Sequence, residues 1–274
     1  MILAPVCALI LISTAVNSSD PTPPPIARAS GKVRQIIGHR GSCADRPENT
    51  LASFRRAIET GAHIAEVDVR TTKDGALVCL HDPDLARTSD GVGKVGDLTL
   101  AEIKNFDAGS KFSSTFKDER VPELKEVLSV CKNKIDVLID LKENGDAYVK
   151  KIAADVREHG DPKRTILGVR SVEHAKQFRE LLSESRQIGL IPTVNDMKPF
   201  ADAGVKMIRL WPKWLADEKL VPRLRSLGLE LHLGAEKGTR EELMPLLIHE
   251  PESLSSDDPA QLIKTLAELR GKKN

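Results

Sequence analysis

Two carboxylates stand two residues apart in an apolar stretch of the chain. Glu66 and Asp68 alternate with Val67 and Val69. On a β-strand, residues two apart point to the same face, so the carboxylates face one side and the valines face the other. Two carboxylates on one face repel each other unless a cation or a basic group lies between them. Their oxygens suit Mg²⁺ or Ca²⁺, so the pair predicts a site for a divalent cation. The alternative is a solvated or salt-bridged strand end.

A predicted hairpin brings a histidine to the same pair. Asp74-Gly75 is a strong signal for a two-residue turn, so residues 76–80 are expected to run antiparallel to the strand that carries the carboxylates. Counting outward from that turn places His81 opposite Asp68, and directly opposed side chains share a face. A shift of the register by one residue would turn His81 to the other face.

The ends of two further apolar stretches carry similar residues. Asp140 and Lys142 repeat the two-residue spacing, and His39 and Arg40 follow the first apolar stretch. Asp140 would give the cation a third carboxylate, while Lys142 would pair with it or meet an anionic substrate. Each residue taken singly has a simpler interpretation as a capping, hydrogen-bonding or surface residue. Their convergence on three strand ends favours metal-assisted phosphoryl chemistry.

The elements that position these residues alternate along the chain. Strands are predicted at residues 33–37, 63–69, 135–141, 165–169, 187–191, 205–210, 229–233 and 253–255. Helices are predicted at residues 48–60, 122–131, 146–159, 172–185, 196–203, 216–227, 239–248 and 259–269. Eight such pairs favour an α/β fold, and the length of the chain favours closure into a TIM (β/α)₈ barrel. A doubly wound open sheet is the alternative, but no Gly-x-Gly-x-x-Gly follows the first strand.

Two features after the second strand depart from this alternation. One is the predicted β-hairpin, and the other is a glycine- and serine-rich insertion at about residues 82–120. A long insertion in a compact domain is usually functional or mobile. Above the mouth of the barrel, where active sites of TIM barrels lie, it would form a lid or a recognition surface. Trp211 and Trp214, after the sixth strand, would wall the pocket or pack between helix and barrel.

Composition and the N-terminal residues limit the partners and the location of the protein. Of the 274 residues, 41 are lysine or arginine and 40 are aspartate or glutamate, so nothing supports a nucleic-acid or anionic-membrane partner. Residues 1–19, with an apolar run at 2–16, are predicted to be a signal peptide, which implies a periplasmic or extracellular protein. An uncleaved anchor is the alternative. Residues 20–31 are predicted to be a proline-rich linker, which leaves residues 32–274 for the barrel.

Cysteines do not indicate a disulfide framework. After removal of a signal peptide three remain, Cys43, Cys79 and Cys131, and no Cys-x-x-Cys spacing suggests zinc. The simplest interpretation is that they are small buried side chains.

Several motifs resemble those of a known family. Gly38-His39-Arg40-Gly41 and Pro47-Glu48-Asn49-Thr50 resemble the opening signature of glycerophosphodiester phosphodiesterases. The motifs that follow in the family's order are Glu66-Val67-Asp68-Val69, Thr72-Lys73-Asp74-Gly75, His81-Asp82, Arg87-Thr88 and Val121-Pro122-Glu123-Leu124. Together they cover about residues 35–142, and a late Ser256-Asp257-Asp258-Pro259 is similar to the closing motif of the family.

The resemblance assigns roles to the residues described above. It implies that His39 and His81 are the catalytic pair, that Glu66, Asp68 and Asp140 bind one Mg²⁺ or Ca²⁺ ion, and that Arg40 and Lys142 contact the phosphate. It also implies hydrolysis of glycerophosphodiesters to glycerol 3-phosphate and an alcohol, with the two histidines as general acid and base. Most members carry glutamate in place of Asp140, whereas related spider-venom phospholipases D have Asp-Leu-Lys, as here.

Two alternatives to this activity stay open. A phospholipase-D-like enzyme acting on lysophospholipids would contact a membrane, and Phe106, Phe112 and Phe116 of the insertion are candidates for an apolar rim. The other alternative is a non-catalytic barrel that binds phosphodiesters. The Trp-Thr-Val-Asn motif of many members is absent, since residues 231–235 read Leu-His-Leu-Gly-Ala. This difference concerns the part of the site that would read the alcohol.

Overall fold

The fold is described from a computed structural model, which covers residues 25–271. The predicted signal peptide and the linker residues before Pro25 lie outside this range, as does the extreme C-terminus. Within it, no helix is long and apolar enough to cross a membrane.

Nine strands are present between residues 25 and 271. They are β1 (Gln35–Gly38), β2 (Ile64–Thr71), β3 (Leu77–Cys79), β4 (Asp136–Leu141), β5 (Thr165–Val169), β6 (Arg186–Gly189), β7 (Met207–Arg209), β8 (Glu230–Gly234) and β9 (Ser253–Ser256). All except β3 run parallel in the order β1-β2-β4-β5-β6-β7-β8-β9, and β9 pairs with β1 to close the barrel. The predicted TIM barrel is therefore confirmed.

Ten α-helices accompany these strands in the described part of the chain. They are α1 (Pro25–Lys32), α2 (Leu51–Thr60), α3 (Leu100–Ile103), α4 (Leu124–Cys131), α5 (Asp146–His159), α6 (Val172–Leu181), α7 (Met197–Asp202), α8 (Leu220–Ser226), α9 (Arg240–Leu247) and α10 (Pro259–Leu269). All eight predicted barrel strands and all eight predicted helices are present. Local signals explain their ends: α2 begins at Thr50, whose side chain accepts a hydrogen bond from the Ser53 backbone, and ends at Gly61 with φ of 79°.

The two faces of the barrel strands carry different side chains. One face packs against the helices and forms the main apolar core, as Val67 and Val69 of β2 do. The other face fills the lumen with Ile37, Ile64, Leu138, Ile166, Ile188, Leu190 and Met207. Because side chains alternate along a strand, Glu66 and Asp68 lie on the lumen face above Ile64. The lumen is therefore apolar below and charged at the C-terminal ends of the strands.

The first helix corrects the predicted extent of the linker. Residues 25–31 were assigned to the proline-rich linker, but they belong to α1, which contacts α9 and α10. Pro25 occupies the first helical turn, where its missing N–H is not needed. Ala29 is buried, Ile26 packs against the main core, and the Arg270 guanidinium donates to the carbonyl oxygen of Ser30. The apolar spacing of this short segment gave it a face to bury.

The register of the predicted hairpin was wrong by one residue. Val69 pairs with Cys79, and the Leu80 backbone N–H donates to the Asp68 carbonyl at 3.1 Å, so Leu80 and not His81 lies opposite Asp68. The turn contains three residues, 73–75, because the Thr72 N–H donates to the Ala76 carbonyl at 2.9 Å. Gly75 has φ of 81°, which suits the last position of a three-residue loop. His81 lies beyond the end of β3, where strand alternation no longer sets its direction.

The insertion between β3 and α4 has an apolar core of its own. This core contains Val78, Leu80, Leu85, Val95, Ile103, Ala108 and Val121. The two ends of the insertion meet where Val78 bridges Glu123 and where the Cys79 N–H donates to the Pro122 carbonyl at 2.8 Å. The Asp107 carboxylate accepts hydrogen bonds from the backbone N–H groups of Gly109, Ser110 and Asp118. The segment is therefore folded, although it has little regular secondary structure.

Candidate active site

A change of strand partner along β2 creates the site. The start of β2 pairs with β1 through Ile64 and Ala65, and its end pairs with β3 from Val69 onward. Between these two stretches, side chains and loop backbone take the place of a strand. The Asn49 side chain accepts from the Asp68 N–H at 3.1 Å and donates to the Asp68 carboxylate at 2.8 Å. The interrupted edge of β2 thus carries the predicted carboxylate pair.

Three buried carboxylates cluster at this edge. Oxygens of Glu66, Asp68 and Asp140 lie within 4.8 Å of one another, and Asp68 and Asp140 are direct neighbours in the β2–β4 register. Burial and the adjacent Asp68 raise the pKa of Glu66 to about 7. Burial alone would also raise the pKa of Asp68, but Lys142, Asn49 and Arg40 hold it below its ordinary value. Basic neighbours therefore stabilise the charge of Asp68 more than that of Glu66.

Two basic side chains hold the third carboxylate. Lys142 Nζ lies 2.5 Å from Asp140 Oδ2 and 2.8 Å from Asp68 Oδ1. Arg170, directly after β5, donates from Nη2 to both oxygens of Asp140, at 2.9 and 2.8 Å. Arg170 is not among the predicted site residues, although its position directly after a barrel strand is a signal in the sequence. Together these contacts fix the Asp140 side chain.

The donor set at this cluster fits a hard divalent cation. Three carboxylates supply oxygen ligands, which Mg²⁺ and Ca²⁺ prefer. Glu66 Oε2 accepts from the Arg40 backbone N–H at 2.7 Å, and the raised pKa of Glu66 marks a carboxylate that lacks a counter-charge. A second possible cluster contains His39, Cys43 and Asp257. It fits a metal less well, because burial and the neighbouring Asp257 raise the pKa of the Cys43 thiol, and a thiol must ionise to bind metal.

Each candidate catalytic histidine is paired with an aspartate. His39 Nδ1 lies 2.6 Å from Asp257 Oδ1, and His81 Nδ1 lies 2.7 Å from Asp82 Oδ1. These bonds leave Nε2 of each ring as the nitrogen available for proton transfer. Burial lowers the pKa of His39, but the bond to Asp257 and the charge of Glu66 outweigh this effect, so the pKa is raised overall.

A chain of ion pairs connects the second histidine to the cluster. Asp82 accepts from Arg87 at 2.5 Å, and Arg87 binds Glu48 at 2.7 Å. Glu48 in turn accepts from Arg40 Nη1 at 2.9 Å, and Arg40 Nε lies 3.5 Å from Asp68 Oδ2. The structure therefore brings six of the seven predicted site residues into one network of contacts, while His39 adjoins it through the backbone next to Arg40 and pairs with Asp257. Both predicted phosphate-binding residues contact carboxylates in this network.

A cavity of about 590 Å³ opens beside this network. Of the predicted site residues, His39 and Arg40 line it, and Arg40 contacts Glu66 and Asp68 behind the wall. His81, Asp140 and Lys142 are not among the lining residues. The insertion contributes Lys111 and Phe112 to its wall, and the opposite side is formed by Arg209 and Trp211. Trp214, in contrast, packs against the barrel core. The insertion thus takes part in shaping the mouth of the barrel.

Fold and site together define a (β/α)₈ barrel with paired histidines and a candidate cation site at its C-terminal mouth. The sequence model of the glycerophosphoryl diester phosphodiesterase family matches residues 39–233, and the chain belongs to this family. The match spans all seven predicted site residues.

Individual relatives agree with this assignment. A glycerophosphodiester phosphodiesterase of Caldanaerobacter subterraneus subsp. tengcongensis is 41% identical over 137 residues, which are 48% of this chain and 56% of that protein. The chain spans about half the length, or less, of the curated relatives with this degree of identity. The crystal structure of glycerophosphodiester phosphodiesterase from Agrobacterium tumefaciens is similar with a TM-score of 0.73 and 28% identity, covering 84% of this chain and 99% of that one.

A further structure supports the fold alone. It is an Oleispira antarctica phosphodiesterase in complex with the product sn-glycerol-3-phosphate, with a TM-score of 0.78 and 22% identity over 87% of this chain and 98% of that one.

Proposed function

We propose that this protein hydrolyses glycerophosphodiesters to glycerol 3-phosphate and an alcohol, with one bound Mg²⁺ or Ca²⁺ ion. The observation that carries this proposal is the position of the His39–Asp257 pair on the cavity wall, next to Arg40 and the three-carboxylate cluster. Membership of the family supports it, and so does the product glycerol 3-phosphate found in the Oleispira protein of the same fold.

Glu66, Asp68 and Asp140 would hold the cation, which when bound supplies positive charge to a non-bridging phosphate oxygen. Arg40 would bind the same phosphate, which is supported by its position on the cavity wall beside the carboxylates. Lys142 forms ion pairs with both Asp68 and Asp140 and adds positive charge to the same region. These groups stabilise the negative charge that develops at phosphorus.

The histidines would carry the proton transfers. One accepts a proton from the attacking hydroxyl, and the other donates a proton to the leaving alcohol. Asp257 and Asp82 would hold the proton on Nδ1 of each ring and leave Nε2 for proton transfer. The attacking hydroxyl belongs either to water or to the glycerol of the substrate, which would give a cyclic phosphate first. Both routes use the same two histidines.

One observation favours a second candidate, an activity on lysophospholipids. Phe112 lines the cavity and is 45% exposed, and Val92 of the insertion is 75% exposed. Exposed apolar side chains at a rim suit contact with acyl chains or a lipid surface. Phe112 also packs edge-to-face on Phe116, with 5.8 Å between ring centroids, so a role in anchoring the insertion accounts for it equally well.

Phosphorus NMR of the purified chain tests both candidates. Glycerophosphocholine and glycerophosphoserine are supplied with Mg²⁺ or Ca²⁺ and again with EDTA, and lysophosphatidylcholine is supplied in parallel. We expect glycerol 3-phosphate from the soluble diesters only when a cation is present. Turnover of the lysolipid alone would replace the first candidate by the second. Turnover that EDTA does not affect would contradict the assigned cation site.

A further inference from the structure

Arg209 is a basic side chain at the mouth of the barrel that contacts no carboxylate, unlike the basic residues of the cation cluster and of the ion-pair chain. Arg209 is the last residue of β7, and it follows Met207 of the lumen on the same strand face. In the order of the closed barrel, β7 lies opposite β2, which carries Glu66 and Asp68. Arg209 therefore reaches the cavity from the strand opposite the one that carries Glu66 and Asp68, and it is near enough for the charges of Glu66 and Asp140 to act on its pKa.

The guanidinium of Arg209 has no acidic partner. Arg40, Arg87, Lys142 and Arg170 each contact at least one carboxylate. Arg209, in contrast, forms no hydrogen bond or ion pair with any residue between 25 and 271, and its Nε is buried. Burial lowers the pKa of Arg209, and the more distant charges of Glu66 and Asp140 do not fully compensate for it. An anion in the cavity would offset that desolvation.

Two neighbours hold this side chain against the cavity. Its guanidinium carbon lies 4.2 Å from the centroid of the Trp211 ring, and stacking on an aromatic ring restricts the orientation of the planar group. A Cβ atom at Gly234, the last residue of β8, would lie 3.1 Å from Nη2 of Arg209. The guanidinium therefore occupies space that a side chain at the end of β8 would need. Gly234 belongs to the segment that lacks the Trp-Thr-Val-Asn motif.

We propose that Arg209, stacked on Trp211, binds an acidic group on the alcohol portion of the substrate, either a carboxylate or a phosphomonoester. This inference rests on the proposed function and adds the substrate class: diesters of acidic alcohols are favoured over diesters of neutral or cationic alcohols. The planar guanidinium presents paired N–H donors that match either acid. We assign the acidic group of the alcohol, and not the scissile phosphate, to Arg209 because β7 lies opposite β2 in the barrel, and the carboxylates of β2 and β4 are the proposed phosphate side.

Matched substrates test this preference. Glycerophosphoserine and glycerophosphoethanolamine differ only in one carboxylate. Glycerophosphoglycerol with and without a terminal phosphate provides the corresponding pair for a phosphomonoester. We expect the wild type to have the higher kcat/KM for the acidic member of at least one pair, and the pair that responds identifies the acid. Equal values within both pairs would overturn the inference, even if all four diesters are hydrolysed.

Variants of Arg209 assign the preference to this residue. Arg209→Gln should lower kcat/KM for the preferred acidic diester by about 10- to 100-fold, the range of a hydrogen bond to a charged group. The loss should appear in KM, because the acidic group is remote from the reacting atoms. The kcat/KM for the neutral member should not change. Arg209→Lys keeps the positive charge but loses the paired N–H donors of the guanidinium, so its kcat/KM for the acidic diester should be intermediate. Lys213→Gln, which removes an exposed cation outside the cavity wall, is the control.

Two results would contradict the assignment. An equal fall of kcat for both members of a pair would place Arg209 at the shared phosphate, and unchanged constants would show that it binds no part of the substrate. Calorimetric binding of the same pairs to the His39→Ala variant, with and without Arg209→Gln, gives a result that does not depend on turnover. A failure of the proposed hydrolysis is thereby distinguished from a failure of this inference. Thermal melting checks that the Arg209 variants fold.

Discussion

At the scale of single residues, the site depends on partners that are far away in the chain. His39 and its aspartate are 218 residues apart, and Arg170 lies 30 residues from the carboxylate that it holds. The local spacing of Glu66 and Asp68 was sufficient to predict a carboxylate pair. It contained no information about Arg170 or Arg209, because closure of the barrel is what brings these two residues to the mouth that the carboxylates occupy. The carboxylate cluster was therefore predictable from the sequence, whereas Arg170, Arg209 and the aspartate partner of His39 were not.

Replacement of either candidate catalytic histidine tests its role. His39→Ala and His81→Ala should each lower kcat by at least about 100-fold, the lower end of the contribution of a proton-transfer group. His249→Ala is the matched control, since this half-buried histidine lies outside the cavity wall. Steady-state rates with a soluble diester provide the measurement. Near-native turnover of either variant would remove that histidine from the mechanism.

The pairing of His39 with Asp257 predicts a change in the pH profile. Asp257→Asn removes the charge that keeps the pKa of His39 raised, so the limb of the kcat/KM profile that reports His39 should move to lower pH. If the acidic limb moves, His39 is the base in the free enzyme, and if the alkaline limb moves, it is the acid. Asp202→Asn, at an exposed position on α7, is the control. A profile that does not move would show that Asp257 does not tune this histidine.

At the scale of elements, the strands and helices were predictable because each has its own apolar spacing and end signals. The bounds predicted for β5 and α5 are those observed. The hairpin failed because Asp-Gly is compatible with turns of two and of three residues. The choice was made by the insertion: Asp74 accepts a hydrogen bond from the Leu100 backbone N–H at 3.0 Å. The sequence of the turn alone cannot predict a contact with a residue 26 positions away.

Asp107 is expected to determine whether the insertion stays folded. Its carboxylate accepts three backbone N–H groups and the Ser110 hydroxyl, so both of its oxygens face donors. In Asp107→Asn, the side-chain N–H₂ would face backbone N–H or hydroxyl donors in place of an accepting oxygen. The substitution should therefore destabilise the insertion by about 1 to 3 kcal/mol. Hydrogen exchange of residues 105–120 measures this effect. Asp118→Asn, which leaves the backbone N–H in place, is the control.

The stabilisation from Asp107 should also depend on pH. Its N–H partners, with Asp118 first among them, hold the pKa of this carboxyl well below its ordinary value. The stabilisation is thus complete above the unfolded pKa of about 4 and is lost as the pH falls below it. Protection of residues 105–120 that is equal at pH 3 and pH 7 would contradict this assignment.

At the scale of the whole molecule, the barrel places one concentrated group of charges above an apolar lumen. Closure of eight parallel strands collects the ends of β1, β2, β4 and β5 at one mouth, although they are up to about 130 residues apart in the sequence. That geometry followed from the predicted fold alone. The extent of α1 did not, because the prolines before it resemble a linker.

Metal binding should be visible in the stability of the entire barrel. A cation at 100 times its Kd adds about 2.7 kcal/mol to the free energy of unfolding, which corresponds to roughly 5–10 °C in Tm for a domain of this size. We expect Mg²⁺ or Ca²⁺ to raise Tm and EDTA to reverse the effect. Glu66→Gln should abolish the response without lowering Tm in EDTA, since it removes a buried charge. Glu236→Gln, at an exposed carboxylate of the cavity rim, should respond as the wild type does.

The insertion joins the barrel in a way that allows the substrate specificity of the cavity to be altered. Its entrance and exit are fastened together where Val78 bridges Glu123, and its side chains pack mainly on one another. Such a unit can be exchanged for a loop of another length without cutting the eight parallel strands. New walls for the cavity, including replacements for Lys111 and Phe112, can then be grafted while His39 after β1 and the carboxylates of β2 and β4 stay in place, provided that the segment with His81 and Asp82 is kept. The insertion can therefore be altered separately from the barrel, in evolution and in design.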